Sequence, residues 1–198
     1  LNGSRNFRPF TADDPPNPVE PYAVSKLEAE QGLRRLAEKT GMELVIIRPA
    51  LVYGPAAPGN FGRLVRIVQK GLPLPLGAVH NKRSLAARDN LVDLIGTCID
   101  HPAAAGQTFL VSDGADLSTP ELIRKLAAAM DRRARLVPVP PALLRLAGRI
   151  TGKSAEVEKL ISSLQVDISH TCRTLNWRPP VSVDQAFRDT VKSFVSKP

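Results

Sequence analysis

The sequence has little cysteine and little histidine, and neither residue type forms a metal-binding motif. There are two cysteines, Cys98 and Cys172, far apart in the chain, and three histidines without ligand spacing. A structural zinc site needs closely spaced Cys and His ligands, and a disulfide framework needs several paired cysteines. We therefore expect no metal and no disulfide framework, and the unpaired cysteines favour a reduced, cytoplasmic setting.

Long apolar runs and aromatic residues are also lacking. No run approaches the ~20 apolar residues of a membrane span, and the N-terminus lacks the basic and apolar regions of a signal peptide. Aromatic residues make up 5% of the chain, and the net charge of +8 comes from basic residues spread along it. A nucleic-acid groove usually concentrates both residue types. We therefore expect neither a membrane partner nor a nucleic-acid partner.

What the chain does contain is the composition of a globular protein. Its 198 residues are 43% hydrophobic and 23% charged, which is typical of a soluble domain with a real core. The length allows one domain or two small ones.

The first predicted elements are a helix and a strand. After a proline-rich loop over residues 1–20, a helix is predicted from Tyr22 to about Lys39. Three of its leucines are expected to face inward: Leu27, Leu33 and Leu36. The apolar run from Glu43 to Pro49 predicts a strand buried on both faces. A helix followed by such a strand is half of a βαβ unit, so we expect a parallel α/β sheet with ligands beyond the strand ends.

The remaining segments alternate between helices and extended chain. Residues 71–77 are predicted to be extended because Pro73 and Pro75 disfavour helix, and residues 107–112 are predicted to form a strand. Ser118 and Glu121 have the spacing of a capping box that begins a helix. Further helices are predicted over about 60–70, 89–100, 142–150, 155–164 and 183–195.

Tyr22 and Lys26 lie at a spacing that has chemical meaning. If Tyr22 begins a helix, Lys26 lies one turn on and projects from the same face. A phenol ionises with a pKa of about 10, and a nearby ammonium favours the phenolate. The pair could therefore transfer protons, and the lysine could hold a cofactor hydroxyl. The same spacing also occurs by chance on ordinary surface helices, so the pair alone leaves both interpretations open.

Several short motifs follow this pair in a recognisable order. They are Tyr22-Ala23-Val24-Ser25-Lys26, Val45-Ile46-Ile47-Arg48-Pro49, Val52-Tyr53-Gly54-Pro55, Asn60-Phe61, Leu74-Pro75-Leu76-Gly77, Arg83, Asp89-Asn90-Leu91, Asp167-Ile168-Ser169 and Leu175-Asn176-Trp177. The combination covers nearly the whole chain. It resembles the NAD-dependent epimerase/dehydratase family of extended short-chain dehydrogenase/reductases, and within that family the UDP-glucose 4-epimerase branch, which includes bacterial enzymes of surface polysaccharide biosynthesis.

The resemblance implies an α/β fold: the C-terminal part of a Rossmann-type parallel sheet plus a smaller α/β substrate-binding domain. Residues 1–55 would end the NAD(P)-binding Rossmann domain. Residues 56–198 would be mainly the nucleotide-sugar domain, with 78–102 packing back on the Rossmann part. No Gly-rich phosphate-binding turn follows a strand, so the chain is expected to be the C-terminal portion of a longer enzyme and to be inactive alone.

The resemblance also implies catalytic and cofactor-binding residues. Tyr22 would be the acid/base that removes a proton from a sugar hydroxyl, and Lys26 would favour the phenolate and bind the nicotinamide ribose. The cofactor would be NAD or NADP, without a metal. The nicotinamide would lie along Pro49, Ala50 and Val52. Ordinary packing at the end of a strand would explain these three residues equally well.

Further residues are implied to bind a UDP-sugar. Asn60 and Phe61 would begin a helix near the diphosphate, and Arg83 would clamp a phosphate, although a merely solvent-exposed Arg83 fits the sequence as well. The uracil base would lie along an extended segment formed by Leu74, Pro75 and Leu76. The full-length enzyme would be a homodimer.

Three functions remain open at this point. The first is a UDP-sugar 4-epimerase, which oxidises and re-reduces one sugar hydroxyl. The second is a 4-reductase that uses the same residues on a nucleotide 4-keto-6-deoxy sugar. The third is a non-catalytic module that binds nucleotide sugars without turnover.

Overall fold

A computed structural model of the chain describes residues 8–56 and 59–195. Within these residues the helices are α1 (Pro21–Thr40), α2 (Gly59–Gln69), α3 (Arg88–Asp100), α4 (Thr119–Ala129), α5 (Pro141–Ile150), α6 (Ser154–Ile161), α7 (Ser169–Thr174) and α8 (Val183–Val195). The strands are β1 (Ile46–Pro49), β2 (Leu51–Tyr53), β3 (Arg83–Ala87), β4 (Thr108–Val111) and β5 (Asp116–Leu117).

The strands form two small sheets that are mainly parallel. β1 pairs in parallel with β4, in a register that runs from Ile46 opposite Thr108 to Pro49 opposite Val111. In the second sheet, β3 lies between β2, its parallel neighbour, and β5, its antiparallel neighbour. Parallel pairing with helices in the connections confirms the predicted α/β fold.

Most predicted elements are present, but their burial differs from the prediction. Leu33 and Leu36 of α1 are 44% and 47% exposed, and Leu27 is only half-buried, so the predicted inward face is wrong. Glu30 is the buried residue of α1 instead. β1 is also half-buried and ends at an exposed Pro49, so its predicted burial on both faces is wrong for the described part of the chain. In both cases the described residues cover only one side of the element.

Three strands and one helix were not predicted from the sequence. They are β2, β3, β5 and α7. Each strand is short, and its pairing partner lies far away in the sequence, as with Leu51 opposite Leu85. Short strands of this kind carry too little periodicity to be recognised locally.

The apolar core consists of two clusters. The larger cluster centres on Tyr53, Phe61 and Phe187 and holds side chains from α2, α4 and α8. The smaller cluster joins α3 to β4 and includes Phe109 and Trp177. A side chain of β1 also packs against this cluster. The helix α3, which follows β3 in the chain, therefore packs on the sheet formed by β1 and β4.

The start of α4 provides a test of a local prediction. Both arms of the capping box are present: the Ser118 Oγ accepts from the Glu121 N–H at 3.3 Å, and the Glu121 carboxylate accepts from the Ser118 N–H at 2.7 Å. We expect Ser118→Ala to lower the free energy of unfolding by about 1 kcal/mol, measured by urea denaturation. Thr97→Ala, which removes a hydroxyl inside α3, is the control and should not show this loss.

The effect of Ser118→Ala should also depend on pH. Hydrogen bonds from Ser118 lower the pKa of Glu121. A lowered carboxyl pKa stabilises the fold above the ordinary value of about 4.3 and stops doing so as the pH falls through the folded-state value. The loss caused by Ser118→Ala should therefore shrink at acid pH, and a larger loss there would contradict this account.

Candidate active site

Two polar contacts align α1 with the parallel sheet. Arg48 on β1 donates to Glu30 from Nη2 at 2.7 Å and from Nε at 3.1 Å. One turn later in α1, Arg34 donates from Nη2 to the Thr108 Oγ1 at 2.7 Å, at the first residue of β4. Thr108 lies opposite Ile46, which precedes Arg48 in β1. Arg34, which follows Glu30 in α1, therefore contacts the sheet at a level that precedes that of Arg48. α1 therefore runs antiparallel to β1.

This alignment determines where the first turn of α1 lies. Four residues of helix advance about 6 Å, and two residues of strand advance about 6.6 Å. Counting back from Glu30 at the level of Arg48, we expect Lys26 to come level with Ala50 and Tyr22 to lie a further turn beyond the carboxyl end of β1. Ligands of parallel α/β sheets bind at this edge.

Tyr22 and Lys26 lie side by side and face solvent. Tyr22 is 72% exposed, and the Lys26 Nζ lies 5.5 Å from the centre of its ring. The Ser25 hydroxyl donates to the Tyr22 carbonyl oxygen at 2.9 Å, within the first turn. The helix thus holds a phenol and an ammonium together where a bound molecule could reach both.

The strand end beside this pair is open. Pro49 and Val52 are exposed and Ala50 is half-buried, while the Ala50 N–H donates to the Val111 carbonyl oxygen at 3.0 Å. The backbone is held by the sheet, but the side chains are not packed away by the described part of the chain.

Of the pair at the start of α2, Phe61 is buried in the core. It is 5% exposed and stacks on Tyr53 with ring centres 5.2 Å apart. Only its backbone, in the first turn of α2, is left to approach a ligand. The side chain of Asn60 lies outside the part of the chain that the structure describes.

The segment predicted to be extended over residues 71–77 is not helical, but its extended part ends at Leu74, which bridges Leu136, and Pro75 and Leu76 lie in a turn. The Leu74 N–H donates to the Arg135 carbonyl oxygen, and the Leu74 carbonyl accepts from the Val137 N–H, both at 2.8 Å. Leu76 is buried in the larger apolar cluster, Leu74 is half-buried against it, and Pro75 is exposed. Pro75 therefore offers the most open surface of the three.

Arg83 is held against the end of a helix. Its Nη1 donates to the carbonyl oxygens of Lys159 and Ser162, at 2.5 and 3.3 Å, and burial lowers its pKa. These carbonyls close α6, so the guanidinium caps the negative end of that helix. Arg83 begins β3, two residues before Leu85, which lies opposite Leu51 at the start of β2. It therefore lies near the start of β2.

A buried polar network at the strand ends was not recognised in the sequence. Asp113 follows β4, and one carboxylate oxygen accepts from the Ala87 N–H and the Asn90 Nδ2, both at 2.7 Å. The other oxygen accepts from the Tyr53 hydroxyl at 2.8 Å. Burial raises the pKa of Asp113 despite these bonds. The network ties together the ends of β2, β3 and β4 and the start of α3, and an Asp directly after a buried strand was its signal.

The described residues lack two kinds of feature. No group of three or more His, Cys, Asp or Glu side chains is arranged to hold a metal ion. No helix there combines the length and the apolar character needed to cross a membrane.

The sequence of the chain is similar to that of known proteins. The model of the NAD dependent epimerase/dehydratase family matches residues 3–112. A UDP-glucose 4-epimerase from Vibrio cholerae is 51% identical over 188 residues, covering 94% of this chain and 57% of the relative. An N-acetyl-alpha-D-glucosaminyl-diphospho-ditrans,octacis-undecaprenol 4-epimerase from Escherichia coli O157:H7 is 29% identical over 77% of this chain and 50% of its own length.

Solved structures show the same fold. The crystal structure of a UDP-glucose 4-epimerase from Thermotoga maritima with UDP-glucose superposes with a TM-score of 0.73 at 19% identity, over 96% of this chain and 59% of the other. The chain spans about half the length of these relatives, 57% of one and 50% of the other. The matched family model extends over more than half of the sequence. The chain therefore belongs to the NAD-dependent epimerase/dehydratase family.

Proposed function

We propose that the full-length protein is an NAD(P)-dependent nucleotide-sugar 4-epimerase that acts on a UDP-sugar, with Tyr22 as its acid/base. One observation carries the proposal: an exposed phenol and ammonium lie side by side in the first turns of α1. The contacts of Glu30 and Arg34 direct this end of the helix toward the carboxyl end of β1. Membership of the family and 51% identity to a relative named UDP-glucose 4-epimerase support the reaction type and the UDP-sugar.

The residues at this edge fit a nicotinamide cofactor. Lys26 presents a hydrogen-bond donor and Tyr22 a donor and acceptor, which suit the hydroxyls of a ribose. Pro49, Ala50 and Val52 offer an apolar surface for a flat ring. When bound, the cofactor supplies reversible hydride acceptance, which the side chains of this chain cannot provide.

The role of this chain is then proton transfer. As a phenolate, Tyr22 accepts the proton of a sugar hydroxyl while the carbon that carries it is oxidised, and the phenol returns that proton when the carbon is reduced again. Lys26 lies one turn away, with its Nζ 5.5 Å from the ring centre, and places a positive charge beside the group that takes up and returns this proton. Epimerisation requires the carbon to be reduced again on its opposite face, whereas the proton returns to the same oxygen, so one acid/base can serve both halves of the reaction.

The remaining predicted residues would hold the UDP group. The half-buried Arg83 would present its free N–H groups to a phosphate while Nη1 stays on α6, and the start of α2 at Asn60 and Phe61 would offer backbone N–H groups. Leu74, Pro75 and Leu76 would line the base. Residues 1–55 would then end the NAD(P)-binding domain and 56–198 form most of the substrate domain. We also propose that the full-length protein forms a homodimer.

The direct test is turnover by the full-length protein. We expect UDP-glucose or UDP-N-acetylglucosamine to be converted to its 4-epimer without net consumption of NAD, followed by NMR of the sugar. Stoichiometric oxidation of NAD(P)H with a 4-keto sugar would instead identify a reductase. Calorimetry of the 198-residue chain tests the third function, a non-catalytic module. Binding of a UDP-sugar by this chain, together with no turnover by the full-length protein, would identify a binding module.

A further inference from the structure

The helix α5 has an apolar face that no other described element covers. Leu143, Leu146 and Ile150 are 55%, 53% and 77% exposed. At 3.6 residues per turn, these three side chains fall within about 60° of one another around the helix. They form a continuous apolar stripe, which we call the α5 stripe.

The opposite side of α5 is fixed on α6, so the stripe is part of a rigid surface. At Gly148 the two helices pack so closely that an added Cβ would lie 2.9 Å from the Val157 Cγ2. Arg145 adds an ion pair to Glu158, with 2.8 Å between Nε and Oε1. The stripe therefore faces away from α6, and the contacts on α6 prevent the helix from rotating to bury it.

The segment around the stripe is strongly basic. Residues 132–153 contain no Asp or Glu, and their six basic residues are Arg132, Arg133, Arg135, Arg145, Arg149 and Lys153. Arg149 lies about 60° from Leu146 around the helix, at the border of the stripe. Arg149 and Lys153 are both exposed. An apolar stripe bordered by exposed cations is typical of helices that lie in a membrane interface.

We propose that α5 is a membrane-docking helix, which lies on the surface of an anionic phospholipid bilayer with the α5 stripe inserted and Arg149 and Lys153 against the lipid phosphates. The sequence-based expectation of no membrane partner depended on the lack of a spanning segment, which an interfacial helix does not need. The proposal is independent of the catalytic roles of Tyr22 and Lys26.

The positive charge of residues 132–153 favours an anionic membrane over a second copy of the chain as the partner of the α5 stripe. A two-fold contact through the α5 stripe would place the same basic segment of each copy against the other, and like charges at an interface oppose association. The exposed apolar face of α3 provides a contrast. Its Val92, Ile95 and Ile99 lie on a helix with three aspartates and one arginine, which an anionic surface would repel.

The test is co-sedimentation of the full-length protein with vesicles. We expect binding to mixed phosphatidylglycerol and phosphatidylcholine vesicles, weak binding to phosphatidylcholine alone, and weakening as salt shortens the Debye length. Arg149→Gln with Lys153→Gln should lower the partition coefficient about 30-fold, since each basic residue near the surface contributes about fivefold. Ile150→Ser should lower it by about tenfold or more because it removes an inserted apolar side chain.

Ile99→Ser is the matched control, because Ile99 and Ile150 are both 77% exposed. It should leave vesicle binding unchanged, with the melting temperatures of all variants compared to exclude unfolding. Equal binding to both vesicle types, or full binding by Ile150→Ser, would overturn the proposal. The proposal would also be overturned if light scattering showed a dimer that Ile150→Ser dissociates while the protein did not bind vesicles.

Discussion

Replacing Tyr22 with Phe in the full-length protein is expected to abolish sugar turnover and to leave UDP binding near normal. The change removes one hydroxyl, the proposed proton acceptor, and general acid-base catalysis contributes typically about 100-fold to 10⁴-fold to the rate. Tyr22 is 72% exposed, so the fold does not depend on burial of its ring. The measurements are kcat for epimerisation and calorimetry with UDP.

Tyr53→Phe is the matched control because Tyr53 is the other tyrosine of the chain. Its hydroxyl donates to Asp113 in the core, so its loss should lower stability by about 1 kcal/mol while turnover is retained. Retained activity in Tyr22→Phe, or equal losses of activity in both variants, would remove the basis for the acid/base assignment.

Replacing Glu30 with Ala is expected to lower the free energy of unfolding by about 3–5 kcal/mol, the usual cost of leaving a buried charge without its partner. Glu30 is 8% exposed and the Arg48 side chain 11%. Within the described residues, the Arg48 Nη1 is already buried without a hydrogen-bond partner. Removal of the carboxylate would deprive the Nε and Nη2 of their acceptor as well. Chemical denaturation of the variant and the unmodified protein measures the loss.

Two variants test this cause. Glu28→Ala, an exposed glutamate on the same helix, should change stability by less than about 0.5 kcal/mol. Adding Arg48→Met to Glu30→Ala should restore part of the loss, because an apolar side chain no longer requires a charged partner. Equal destabilisation by the single and double variants would contradict a role for the unpaired arginine.

The contribution of Glu30 should also fade in acid. Burial raises its pKa, but the hydrogen bonds and charges of Arg48 and Arg34 more than offset this, and the net shift is downward. A lowered pKa stabilises the fold above the ordinary value of about 4.3 and ceases to do so as the pH falls through the folded-state value. The difference between Glu30→Ala and the unmodified protein should therefore narrow below about pH 4.

Local sequence patterns predicted the elements whose signals lie within the element itself. α1, α3 and α8 begin and end within about two residues of the prediction, and the Ser118 capping box forms as expected. The Tyr22 and Lys26 pair could also be identified, because helical spacing alone puts the two side chains on one face.

Burial was less predictable because it depends on what packs against an element. Apolar spacing placed Leu33 and Leu36 inward, yet the described fold buries Glu30 between two arginines instead. Nothing in the α1 sequence identifies Arg48 as the partner of Glu30, since the two residues meet only when β1 folds back along the helix. The place of Arg83 on α6 depends in the same way on residues far along the chain.

The sequence by itself determined the α/β class, the main helices, the pair of Tyr22 and Lys26 and the resemblance to one enzyme family. Only the tertiary structure decided that Tyr22 and Lys26 lie together in solvent, that Phe61 belongs to the core and that the α5 stripe is exposed. The physical reason is that spacing and propensity act over a few residues, whereas burial and ion pairing depend on contacts between segments that only the complete fold brings together.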